Sequence, residues 1–139
     1  KNKVKDMITN CEQNLTIFLK HPTESFLEEY FDQYLELTEK NVDIKIVVNG
    51  HNLEIEEKNL WRKITSIAEV QVVNKHIMFD SMLFDQKEMI IFLTSFFKIQ
   101  IAEENMVFLI TEKQLINYAK GYLKMVWSAG EKFYLKNYK

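Results

Sequence analysis

Proline, glycine and cysteine are scarce: the 139 residues hold one proline, three glycines and one cysteine. With so little punctuation there is no Pro-rich or Ser/Gly-rich linker, and residues 1–139 read as one domain. The single thiol, Cys11, cannot close an internal disulfide, and the absence of a signal peptide makes a reducing cytoplasm the expectation. A domain of this length buries about two thirds of its unfolded surface and folds without a disulfide or metal. Arginine is confined to Arg62, and 18 basic against 20 acidic residues leave a net charge of -2. That balance lacks the basic footprint of a nucleic-acid binder. The longest apolar runs fall far short of the roughly 20 residues that a membrane span requires, so no membrane partner is expected.

What is present is hydrophobic periodicity. Val4, Met7, Ile8 and Cys11 mark a short amphipathic helix, which opens on Lys1 rather than Met and reads as a cut from a longer protein. Residues 14–20 are a β-branched and aromatic strand stopped by His21-Pro22. Phe26, Leu27, Tyr30, Phe31, Tyr34 and Leu35 predict one helix over about 23–40, with Ser25 and Glu28 as its capping box. A strand over 43–49, a helix over 53–68 and a strand over 69–74 follow, an alternation that calls for parallel pairing with crossover helices. Residues 77–84 and 88–94, joined by Asp85-Gln86-Lys87, form a hairpin, and 106–110 a last strand. The helix that closes the chain carries Leu115, Ala119, Tyr122, Val126, Ala129 and Phe133 as its buried stripe, with Thr111 and Gln114 as capping box. The expected fold is α/β: a mixed sheet with a parallel βαβαβ start, an antiparallel hairpin and a long C-terminal helix.

The stretch from Met78 to Leu93, followed by Glu104 to Phe133, resembles the phospholipase D-like effector or dimerisation domain of archaeal TrmB-type transcription regulators. Leu123, Val126, Trp127 and Ala129 stand in the aromatic-rich end of that family's closing helix, with Tyr122 five residues before Trp127 rather than four. The opening, LTIFLK followed by a helix and NVDIKIVVN, is similar to the family's first strands, except that Asn41 takes the place of a glycine. Catalytic members of the wider superfamily carry H-x-K-x-x-x-x-D on the hairpin strand. With Asp85 in the Asp position, Asp80 falls on the lysine and Met78 on the histidine. A thioether cannot attack a phosphodiester, and a carboxylate repels the anion that a lysine would cradle. Lys75 and His76 lie close by but in reversed order and out of register. The resemblance therefore implies a binding fold without catalytic residues or cofactor. It also implies a homodimer that reaches DNA only through a separate domain, or, as an alternative, the input module of a histidine kinase; an alternative of another class is a small phosphodiester-cleaving or other hydrolase whose active residues sit in loops.

His21, His51 and His76 follow successive strands, yet their spacing matches no zinc motif, and unrelated surface histidines are the expectation. Glu28-Glu29, Glu54 with Glu56-Glu57, and Glu103-Glu104 read as solvated faces. Asp80, between Met78 and Met82 on an apolar strand, points either to solvent at an edge or to a partner in a cleft. The 10 Phe, 6 Tyr, 2 Trp and 6 Met exceed what a small core needs. Phe18, Phe26, Phe31, Phe92 and Phe108 are assigned to the core, and Tyr118, Tyr122, Trp127 and Tyr134 to a dimer surface. In a parallel sheet ligands bind beyond the carboxyl ends of the strands. That rim comprises Lys20, His21, Thr23, Asn49, His51, Asn52, Asn74, His76 and Asp80. Its donors, acceptors and single flexible cation suit a sugar or other small polar ligand, and it lacks the arginines of a tight phosphate site.

Overall fold

The computed structural model describes residues 3–20, 24–51, 53–74, 77, 79–92 and 107–138. Helix α1 (Lys3–Thr9) leads into β1 (Asn14–Leu19), and α2 (Glu24–Glu29) and α3 (Phe31–Glu39) cross to β2 (Asp43–Asn49). Helix α4 (Lys58–Ile67) crosses to β3 (Glu69–Val73), and β4 (Ser81–Phe84), β5 (Glu88–Phe92) and β6 (Val107–Ile110) follow. The long α5 (Lys113–Ala129) ends in a short β7 (Glu131–Lys132) and a 3-10 turn (Leu135–Asn137). The sheet order is β6-β5-β4-β1-β2-β3-β7. β1, β2 and β3 are parallel, with Ile17 beside Ile46 and Ile46 beside Val70, whereas β4, β5, β6 and β7 join antiparallel.

Alternation along the strands divides the core between two faces. Leu15, Ile17, Ile46, Val48 and Met82 meet Ile8, Leu27, Tyr34, Leu37, Trp61 and Ile64 of α1 to α4 on one side. Phe18, Val47, Val73 and Ile77 meet Val126 on the other side, where Leu83 and Met89 pack on Ile116. α5 is long because it connects strands at opposite sheet edges. At about 4.8 Å per strand these edges are about 29 Å apart, and 17 helical residues at 1.5 Å span about 25 Å.

Local chemistry moved several expected boundaries. The helix expected over 23–40 breaks at Tyr30, which adopts φ -108° and ψ 12° and buries its ring edge-on against Phe26 at 5.6 Å. Ser25 lies within α2 and is not its cap. α4 starts at Lys58 rather than 53, because the Glu24 carboxylate accepts the N–H groups of Glu56 (3.1 Å) and Glu57 (2.6 Å) and the Trp61 indole N–H (2.9 Å). A cap delivered from another helix fixes that start. α5 is capped by Glu112, not Thr111: its carboxylate accepts from the N–H groups of Gln114 and Leu115. Leu115 of the expected stripe is 51% exposed, while Ile116, one residue on, is buried. Phe133 lies beyond the helix, its chain having turned round the sheet edge to stack on Trp61 at 5.0 Å. Phe18 and Phe92 are buried and Phe26 and Phe31 pack partly buried against the core, but Phe108 is 58% exposed because β6 is an edge strand. Asn41 ends the α3 turn at φ 63°, a left-handed conformation that asparagine tolerates and glycine also satisfies. The stretch 96–101 lies outside the described residues.

Candidate functional site

The parallel strands bring their carboxyl ends to one edge, and β4 begins there, with Ser81 in register with Phe18. Asp80 precedes that pair. Its Oδ1 accepts the backbone N–H of Lys20 at 2.7 Å, and its carbonyl accepts the N–H of Phe92 at 2.9 Å. One residue thus joins the ends of β1, β4 and β5. A half-buried carboxylate here supplies acceptors and negative charge to the carboxyl edge.

At the next strand end, Asn49 Oδ1 accepts the N–H of His51 at 3.0 Å, a local Asx turn. Gly50 donates its N–H to the Val73 carbonyl at 2.8 Å. A Cβ at position 50 would lie 2.6 Å from Val72 Cγ1 and 2.8 Å from Asn74 Oδ1, so a glycine lets these two strand ends approach. Gly50 and Asn74 line a cavity of about 350 Å³ together with Glu131, Lys132 and Tyr134. The contribution of the C-terminal segment to this rim escaped sequence reasoning, since two-residue β7 is too short to show alternation. Lys20, Asn49, His51, Asn74 and Asp80 therefore share one edge, with hydrogen bonds joining Lys20 to Asp80 and Asn49 to His51. His21, Thr23, Asn52 and His76 lie outside the described residues, as does Met78. Among the described residues no group of three or more His, Cys, Asp or Glu side chains is placed to hold a metal ion.

The hairpin strand carries its second carboxylate to the opposite edge. Asp85 accepts the backbone N–H groups of Gln13 (2.7 Å), Glu12 (3.0 Å) and Asn14 (3.1 Å), and the Cys11 thiol donates to it at 3.3 Å. Burial pushes the Asp85 carboxyl up, but these donors together outweigh it and hold the group below its ordinary value. Burial first, then the bond to Asp85 and its charge, push the Cys11 thiol up to about 12. Asp85 and Gln86 both have positive φ, as in a type I′ turn, and the donors to Asp85 hold that turn in place. Asp85 is thus a structural anchor.

The four candidate interface aromatics divide. Tyr122 packs on Phe18 at 6.1 Å, and half-buried Trp127 carries Lys45 Nζ 4.8 Å above its ring, so both belong to the contact between α5 and the sheet. Tyr118 is 65% exposed and Tyr134 47% exposed, the latter with Lys132 and Lys136 ammonium groups 5.6 and 5.7 Å from its ring. Phe108, Leu109 and Met125 are exposed apolar residues that the expected set omitted.

No family profile and no curated protein sequence matches the chain. Solved structures do. TrmBL2, an archaeal chromatin protein whose structure shows a novel mode of DNA binding, aligns at TM-score 0.62 and 16% identity over 94% of this chain and 49% of that chain. This chain thus spans about half of TrmBL2. Nuc, a phospholipase D family member from Salmonella typhimurium, aligns at TM-score 0.67 and 14% identity over 94% and 88% of the two chains. NucT from Helicobacter pylori aligns at 0.69 and 12% over 95% and 89%. The fold is the phospholipase D-like α/β fold. Among the described residues no helix is long and apolar enough to cross a membrane.

Proposed function

We propose that this is a non-catalytic effector-binding and dimerisation domain of a cytoplasmic transcription regulator, whose DNA contact is made by a separate domain. The observation that carries this reading is Asp80. In the sequence alignment given above Asp80 falls on the superfamily's lysine position, and its carboxylate accepts the Lys20 N–H. The likeness to half of TrmBL2 supports the same reading, since it leaves room in such a protein for a further domain. The carboxyl-edge rim, with Asn49, His51, Asn74 and Asp80 on described strand ends, suits a sugar or another small polar ligand. Dimerisation would use the exposed apolar residues of β6 and α5.

A thermal-shift screen of sugars, amino acids and nucleotides tests the binding half of this reading. A ligand at 100 times its dissociation constant adds about 2.7 kcal/mol. The combined change of Asn49, His51 and Asp80 to alanine is expected to abolish the shift. A shift that survives these changes rules out the rim.

A further inference from the structure

The opposite face of the sheet carries a second cleft of different chemistry. Its volume is about 270 Å³, and Phe18, Phe79, Met89, Ile91, Ala119 and Tyr122 form its walls between α5 and strands β1, β4 and β5. Among the described residues no charged side chain lines it. Exposed Leu115 and Tyr118 stand on its helical side. It does not belong to the rim. Asp80 reaches the end of β1, whereas Ser81, the next residue, turns to the α5 face and into the cleft wall. Ser81 is only 2% exposed and lies in the cleft wall.

These features specify an occupant. The cleft opens to solvent beside exposed Leu115 and Tyr118, so an apolar guest would displace water from its apolar walls. A cleft of about 270 Å³ has room for two fused rings. The Phe and Tyr rings favour an aromatic guest through edge and offset contacts, and the Met89 thioether adds a polarizable one. Among the described residues that line the cleft a charged guest would find no counter-ion. Ser81 offers one buried hydroxyl to one polar group. We infer that the cleft beneath α5 is a binding site for a small uncharged aromatic molecule with a single hydrogen-bonding group, which Ser81 receives. This site is independent of the polar rim and stands whether or not the rim binds a ligand.

The test is a titration of the protein with 2-naphthol followed by amide correlation NMR, with cyclohexanol and glucose as controls. Saturable shifts confined to Ser81, Met89, Ala119 and Tyr122 and their neighbours are expected with 2-naphthol, weaker ones with cyclohexanol, and none there with glucose. Ala119→Leu and Ile91→Phe each fill the cleft, one from the helix and one from the sheet, and either one that keeps its circular dichroism should abolish the shifts. Ser81→Ala should weaken binding about fivefold, the worth of one net hydrogen bond. Absence of saturable shifts up to millimolar 2-naphthol overturns the inference. So do shifts that persist in a folded filled variant, and a titration that instead tracks protein concentration, which would mark the cleft as a contact between copies of the chain.

Discussion

One carboxylate oxygen of Asp85 accepts the backbone N–H of Gln13 at 2.7 Å, joining residues 72 positions apart. The contact holds the hairpin turn against the entry of β1, and the neighbouring donors from Glu12 and Asn14 share the same carboxylate. Asp85→Asn removes the charge and puts an amide NH₂ in place of the Oδ2 that accepts the Glu12 N–H, leaving one oxygen for the Gln13 and Asn14 donors. A loss of about 1–3 kcal/mol in urea unfolding is expected. Because the folded carboxyl is held below its ordinary value of 3.8, its stabilisation is present above that pH and is lost as pH falls through the lower folded value. The acid limb of the wild-type stability curve should accordingly be steeper than that of the variant.

Cys11 is buried and its thiol is pushed up to about 12. At pH 8 the native protein should resist iodoacetamide and react only on unfolding, as read by mass spectrometry. The thiol's contribution to stability is complete below about 9.0 and falls as pH rises toward 12. Rapid alkylation of folded protein at pH 8 would contradict this placement.

Glu24 caps the start of α4 from another helix and holds the indole N–H of Trp61. Glu24→Ala should cost about 1–2 kcal/mol, as the loss of a helix cap does. The urea midpoint should fall with the slope unchanged, and Trp61 emission should change because its buried ring loses that acceptor.

Phe108 and Leu109 expose apolar surface on edge strand β6. If the domain is a dimer through this edge, Phe108→Lys with Leu109→Lys should convert it to monomer in light scattering while circular dichroism is unchanged. An unaltered dimer would move the interface elsewhere.

The order of elements was legible because each strand and helix declares its own period. Parallel β1 to β3 read as apolar runs alternating with amphipathic helices, and the Asp85 turn lay between two such runs. What the sequence concealed was long-range. Nothing near Lys58 shows that Glu24 will cap its helix. The one-residue phase error that put Leu115 inside and left Ile116 out arose because both positions are apolar and only the sheet decides which is covered. Phe133 continued the helical spacing although the chain had left the helix at Gly130. The strand ends of the rim followed from topology, and Asp80 was already set apart by its apolar neighbours. The contribution of Glu131, Lys132 and Tyr134 to the adjoining cavity depended on a strand of two residues with no periodic signal. The apolar cleft under α5 left no pattern because its walls use the same residue types as the core.

The measurement that bears most directly on the central claim is phosphodiester turnover. Purified protein incubated with bis-p-nitrophenyl phosphate, with and without divalent metals, is expected to release no p-nitrophenol above the buffer rate if, as proposed, the domain is non-catalytic. Robust turnover that disappears on Asp80→Ala or His76→Ala would contradict the non-catalytic account and make the domain a hydrolase.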